Sequence, residues 1–230
     1  MGTDFLKPRA PLGEKVHCLS FTKDYFYKNN ISPEKSRILE DFIKFEDIPI
    51  QYMNQVHGNR LEKIFSHSSL PIDETDSLFS STSNLALGVL TADCLPIALS
   101  KKDGSEFAML HAGWKGLLSG VIESTLTSFT KGCSDVSAWI GPSISQKNYE
   151  VGNDLYESFV KKDDESESNF KEKGYDKWLF SLHGEAKRIL GKYNINVDLS
   201  SVCTFESESL FSYRRDHTEN RILSIIWRNE

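Results

Sequence analysis

This sequence predicts an α+β fold, on three observations. Short apolar runs read as strands, several longer segments repeat apolar residues at helical spacing, and the two kinds are mixed without the strict strand–helix–strand order of a doubly wound sheet. With 230 residues, 39% of them hydrophobic, the chain can bury one sizeable core. The expectation is therefore a single domain over residues 1–230, mixed β-sheets covered by helices, with residues 1–15 an irregular arm.

Taken in order, residues 17–21 read as the first strand. Ser32-Pro33-Glu34 predicts a helix start: serine can cap, proline suits the first helical position and glutamate favours the positive end of the helix dipole. Ile38, Leu39, Phe42 and Ile43 continue that helix. Residues 50–55, 60–65, 77–80, 85–91 and 95–100 read as strands. Lys101-Lys102-Asp103-Gly104 is a turn, and 106–110 is the returning strand of the hairpin. Residues 114–130 predict one long helix, with Leu117, Leu118, Val121, Ile122, Thr125, Leu126 and Phe129 on one face. A strand over 136–140 is stopped by Gly141-Pro142. Helices follow over 153–160 and 175–190, the second using Trp178, Leu179, Leu182, Ala186 and Ile189 and ending at Gly191. Late strands are expected at 197–203 and 222–227.

Charge and cysteine usage exclude several classes. The formal net charge is −6 and the pI about 5.6. There is no basic stripe, so a nucleic-acid partner is not expected. The densest charge run, 161–167, is mostly acidic and reads as a solvated loop or helix end. No apolar run approaches the ~20 residues that span a bilayer, and no leader with an apolar centre is visible, so a cytoplasmic location is expected. The cysteines Cys18, Cys94, Cys133 and Cys203 form no Cys-x-x-Cys pair, which argues against a disulfide framework. Each is then buried filler, a ligand or a nucleophile.

Three segments carry candidate chemistry: Asn54-Gln55-Val56-His57-Gly58, Thr91-Ala92-Asp93-Cys94-Leu95-Pro96 and His111-Ala112-Gly113-Trp114-Lys115-Gly116. Each places a possible metal ligand where an expected strand ends, and loops held by a rigid sheet are where reactive groups sit. The separations match no zinc-finger spacing. Ligands drawn from separate loops suit a catalytic site, and two imidazoles with one thiolate leave a fourth zinc position open. The same residues also allow a metal-free thiol enzyme, with Cys94 as nucleophile and His111 as its base. Of the remaining histidines, His67 sits in a polar loop, His183 on an expected helix without an obvious partner, and His17 and His217 beside polar motifs.

Together these segments resemble the YfiH family of bacterial proteins, also called the multicopper polyphenol oxidase (laccase) family or peptidoglycan editing factor. The family pattern NQVHG, ADCxP and HAGW[RK]G is present in order. Further matches are Trp139-Ile140-Gly141-Pro142-Ser143-Ile144, Tyr149-Glu150-Val151-Gly152, Cys203-Thr204 and Phe211-Ser212-Tyr213-Arg214-Arg215-Asp216. The resemblance implies one zinc held by His57, Cys94 and His111, and a fold similar to that of certain toxin deamidases. It implies phosphorolysis of adenosine, inosine, guanosine or methylthioadenosine, with adenosine deamination as a companion activity; the partners are then a nucleoside and phosphate. Lys115, Arg214 and Arg215 are the phosphate candidates by motif, and Asp93 is the candidate carboxylate to orient a ligand histidine. Tyr149 and Glu150 are expected to cap the Gly-Pro turn.

The chain departs from the family pattern in two places. Ser20-Phe21-Thr22-Lys23-Asp24 replaces a Ser-Thr-Arg-x-Gly-Gly segment, so an arginine suited to phosphate is absent and Lys23 is its candidate substitute. Asn148 replaces the cysteine that usually precedes Tyr-Glu-Val-Gly. Competing readings are a copper polyphenol oxidase, a Cys/His hydrolase acting on a cell-wall peptide precursor, and a binding protein that retained the fold. The copper reading is weakened by counting: a multicopper cluster needs many more imidazoles than the six histidines present.

Overall fold

The structure is a computed structural model describing residues 3–230; the first two residues of the expected arm lie outside the described residues. The chain runs β1 (Phe5–Leu6), β2 (Val16–Phe21), α1 (Lys23–Lys28), α2 (Lys35–Asp41), β3 (Lys44–Phe45), β4 (Ile48–Gln51), β5 (Leu61–Ile64), β6 (Ser77–Ser80), β7 (Ala86–Thr91), β8 (Leu95–Lys101) and β9 (Phe107–Ala112). It continues with α3 (Trp114–Ser119), α4 (Val121–Leu126), β10 (Val136–Ile140), β11 (Glu150–Gly152), α5 (Asn153–Lys162), β12 (Phe170–Gly174), β13 (Lys177–Phe180), α6 (Leu182–Gly191), β14 (Asn196–Leu199), α7 (Tyr213–Asp216) and β15 (Ile222–Arg228).

Two six-stranded mixed sheets form the centre of this α+β molecule. One has the order β1-β2-β15-β7-β4-β3 and the other β14-β10-β8-β9-β6-β5; β11-β13-β12 make a small third sheet. Side-chain parity stacks the two large sheets. On β9, Phe107 and Met109 join Leu87 and Val89 of β7 in an apolar layer drawn from both sheets. The alternate residues Ala108, Leu110 and Ala112 pack with Leu117, Val121 and Ile122 of α3 and α4, and with residues of α5 and α6. The far face of the first sheet is covered by Phe26 of α1 and Ile38 of α2. β7 ends in the first sheet and β8 begins in the second, so residues 92–94 cross between the sheets.

Several expected boundaries change for local reasons. The helix expected over 114–130 is two short helices, because Gly120 adopts a left-handed φ of 88° and turns the axis between them. The helix expected over 175–190 opens instead with the hairpin β12–β13, and only α6 is helical. Trp178 of β13 stacks on Tyr156 at 3.9 Å and donates its indole N–H to Asn153, contacts that hold it in the small sheet. Ser181 then caps α6 through the Gly184 N–H. Pro33 and Glu34 stay outside α2, because Glu34 bridges Asn220 and the Pro33 carbonyl takes the Arg221 N–H. The expected strand over 197–203 stops at Leu199; beyond it only Cys203 bridges, to Ser143. The acidic run is not merely solvated: Asp163 pairs with Arg188 at 2.7 Å and Lys192 at 2.6 Å, tying the end of α5 to α6. Among the described residues no helix is long and apolar enough to cross a membrane.

Candidate metal centre

Strand register assembles the centre. β8 and β9 are antiparallel with Leu95 opposite Ala112, which sets Cys94 beside Gly113. β6 and β9 pair Ser77 with Leu110, and the His111 N–H donates to the Asp76 carbonyl, which sets Asp76 beside His111. His111 shares parity with Phe107 and Met109, so its ring emerges at the end of the seam between the sheets. His57 arrives from the loop after β4. That loop is pinned by Gln55, whose side-chain amide donates to the Leu90 carbonyl at 2.8 Å and accepts the Leu90 N–H at 2.9 Å.

The result is a tight group of three donors. One ligand atom each from His57, Cys94 and His111 lies within 4.8 Å of the others. The two imidazole rings meet edge-on with centroids 4.6 Å apart. His111 is buried, Cys94 half-buried and His57 exposed, so the group faces an opening. That opening is a cavity of about 370 Å³ lined by Trp114, Tyr149, Tyr213, Lys35, Arg214 and Arg221, among others.

A fully buried carboxylate organises both histidines. Asp76 accepts three backbone N–H bonds from the His57 loop: Val56 at 3.2 Å, His57 at 3.0 Å and Gly58 at 2.7 Å. The same carboxylate meets His111 Nδ1 at 2.7 Å. This fixes the tautomer: Nδ1 carries the proton toward Asp76 and Nε2 is left for a metal. His57 itself holds a left-handed φ of 62°, uncommon for a residue with a β-carbon, and the Asp76 bonds stabilise it.

Electrostatics favour a thiolate. Desolvation raises the Cys94 thiol, but the charges and hydrogen bonds of His111 and His57 outweigh it and bring the thiol down to about 6. Burial pulls His111 down, while the Cys94 thiolate and the Asp76 carboxylate outweigh it and lift the imidazole to about 9. Desolvation likewise raises Asp76, yet its bonds to His111 and the loop N–H groups hold it below the usual carboxylate range.

Gly113 supplies the space. A β-carbon there would stand 2.8 Å from Cys94 Sγ and 3.1 Å from His57 Cδ2. Its φ of −80° suits any residue, so the constraint is steric. Gly113→Ala is expected to weaken metal binding about tenfold, the size of a modest overpacking cost. Competition against a chromophoric chelator measures this; unchanged affinity would show that Cys94 and His57 do not act through that gap.

The other expected site residues divide. Arg214 lines the cavity with its guanidinium 5.0 Å from the centre of the Tyr149 ring. Lys115 does not: it is exposed and lies over the Trp114 ring at 5.5 Å. Arg215 is committed to the chain itself, donating to the Thr204, Phe205, Ser207 and Leu210 carbonyls and pairing with Asp216. Lys23 sits over Phe211 at 5.0 Å and is not part of the cavity lining. Asp93 orients neither histidine. Its left-handed φ of 89° turns the carboxylate away, to accept the Thr204 hydroxyl at 2.6 Å and the Arg214 N–H at 2.7 Å. Asp76 has the role expected of Asp93. Sequence reading missed Asp76, Gln55, Lys35 and Arg221; a carboxylate directly before the expected strand 77–80 was the one available signal.

The sequence pattern of the family described as multi-copper polyphenol oxidoreductase laccase matches residues 28–229. The chain belongs to this laccase family. Its relatives include the Escherichia coli protein named purine nucleoside phosphorylase YfiH, 36% identical over 180 residues, covering 76% of this chain and 72% of that one. A Haemophilus influenzae protein named purine nucleoside phosphorylase is 34% identical over 205 residues, covering 87% and 82%. The crystal structure of Neisseria meningitidis protein NMB0706 matches with a TM-score of 0.84 and 26% identity, over 99% of this chain and 100% of that one.

Within this laccase-family chain the donors fit a single cation. Among the described residues His57, Cys94 and His111 are the one group of metal-type donors. His17 stacks on Trp227, and His183 is bonded to Ser143. Among the described residues no methionine lines the cavity to serve as a weak axial ligand; Met53 and Met109 are buried in the layer between the sheets.

Proposed function

We propose that this chain is a zinc-dependent purine nucleoside phosphorylase, cleaving adenosine, inosine, guanosine or methylthioadenosine, with adenosine deamination as an accompanying activity. The observation that carries the reading is the His57–Cys94–His111 group at one end of a cavity that also offers aromatic faces and cations. Relatives over most of the chain carry the phosphorylase name.

In phosphorolysis a phosphate oxygen forms a bond to the sugar C1′, the bond from C1′ to the purine nitrogen breaks, and the phosphate proton ends on the departing base. The flat faces of Trp114, Tyr149 and Tyr213 suit stacking of a purine. Leu90 and Ala92 add apolar surface to the wall, and the lining cations suit the charge of phosphate. Asp76 keeps the His111 proton on Nδ1 and the His57 loop in place. A zinc ion held by His57, Cys94 and His111 would supply a Lewis-acid position for an oxygen ligand.

A nucleoside panel with and without phosphate tests this. Free purine released only when phosphate is present supports phosphorolysis, and inosine formed from adenosine without phosphate supports the deaminase activity. Absence of base release from every purine nucleoside would overturn the proposal.

A second reading rests on the line Asp76–His111–Cys94, which has the order of a thiol hydrolase triad. It requires a metal-free Cys94, so stoichiometric zinc with a protected thiol contradicts it.

A further inference from the structure

Lys35 and Arg221 come from distant parts of the chain, yet the fold makes them neighbours. Glu34 and Asn220 form an antiparallel bridge. The Lys35 N–H donates to the Glu219 carbonyl at 3.2 Å, and the Arg221 N–H to the Pro33 carbonyl at 2.9 Å. The bridge and these two bonds hold residues 35 and 221 close together. Both line the cavity that holds His57, Cys94 and His111.

Their charges are poorly neutralised. Lys35 forms no ion pair among the described residues, and Arg221 has only Glu219, at 3.7 Å and itself 78% exposed. Two guanidinium bonds to the Thr218 and Asn220 carbonyls hold Arg221 in place. In a chain of net charge −6, such a pair at a cavity wall marks where an anion is wanted. A separate observation points the same way. Thr91, 1% exposed, lines this cavity and carries a buried hydroxyl with no hydrogen-bond partner among the described residues. A buried hydroxyl without a partner costs free energy that a ligand oxygen would recover.

We propose that Lys35 and Arg221, aided by the Thr91 hydroxyl, form the subsite for the inorganic phosphate co-substrate. This deepens the phosphorylase reading and rests on it. It moves the phosphate from Lys115 and Arg215 to a pair drawn from the two ends of the sequence. It also supplies a guanidinium where the altered 20–24 segment has none.

The test uses inorganic phosphate, by calorimetric titration of the full chain and by steady-state phosphorolysis. Lys35 is half-exposed, so Lys35→Ala is expected to fold. It should weaken phosphate binding and raise the phosphate KM about tenfold or more, while the nucleoside KM stays within about twofold. Lys35→Arg should restore binding, and Arg221→Lys should raise the phosphate KM with nucleoside affinity kept. Binding lost in Lys35→Ala in a protein without phosphorolysis would uphold the subsite while the functional reading falls. Turnover with an unchanged phosphate KM in Lys35→Ala, or a KM raised by Lys115→Ala alone, would overturn the subsite. Weakening confined to a nucleoside 5′-phosphate, with inorganic phosphate unaffected, would overturn it as well.

Discussion

Replacing Cys94 with alanine is expected to remove about one metal ion per chain and to lower nucleoside turnover by at least about a thousandfold. Cys94 is the one thiolate among the three donors, and its Sγ is the atom around which both imidazoles gather. The variant should still fold. Cys94 borders an open cavity, so the lost sulfur leaves little enclosed space. Metal content and kcat/KM measured on one preparation check both parts, with thermal unfolding of the metal-free proteins as the control. Turnover within tenfold of the parent chain would remove Cys94 from the chemistry. A thiol hydrolase would lose turnover too, so the alkylation rate of Cys94 separates the readings: added zinc should slow it sharply.

Asp76→Asn is the second large effect, and it acts without touching a donor atom. The carboxylate faces only donors: three loop N–H groups and His111 Nδ1. An amide keeps the shape but turns an NH₂ group toward at least one of them. With no exposed surface to relax into, the metal-free protein should lose about 3 kcal/mol, since a buried network with one wrong partner costs more than its pairwise share. Zinc affinity should fall about 10- to 100-fold, as for other partners that orient a metal-bound histidine. Urea unfolding and chelator competition measure the two effects. A variant with parental stability and affinity would show that Asp76 does not organise the site.

The fold and the site differ in how far the sequence reveals them. The strands at 95–100, 136–140 and 222–227 are legible because they are largely apolar runs, and the structure places β8, β10 and β15 there. The helix at 114–130 is over-read because its apolar stripe continues past Gly120, and periodicity does not report a reversed φ. In residues 175–190, Trp178, Leu179 and Leu182 satisfy helical spacing, but the first two belong to a hairpin closed through Asp176, whose φ is 53°.

In the site, His57, Cys94 and His111 stand out because each ends or adjoins an expected strand, although β4 stops at Gln51 and leaves His57 in the loop beyond it. Asp76 does not, since its contact with His111 depends on which strands pair. That pairing joins β6 to β9 across 35 residues of sequence separation. Asp93 shows the opposite error: it adjoins Cys94 in sequence, but its backbone turns its carboxylate toward Thr204 and Arg214. Lys35 and Arg221 are invisible for the same reason as Asp76, being joined by a bridge between distant segments.

X-ray absorption at the zinc edge of the zinc-loaded chain probes the shared cation directly. The account predicts one sulfur at about 2.3 Å and two imidazole nitrogens at about 2.0–2.1 Å, with the sulfur shell gone in Cys94→Ala. A spectrum from the parent chain with no sulfur shell, or with a single imidazole, would contradict it.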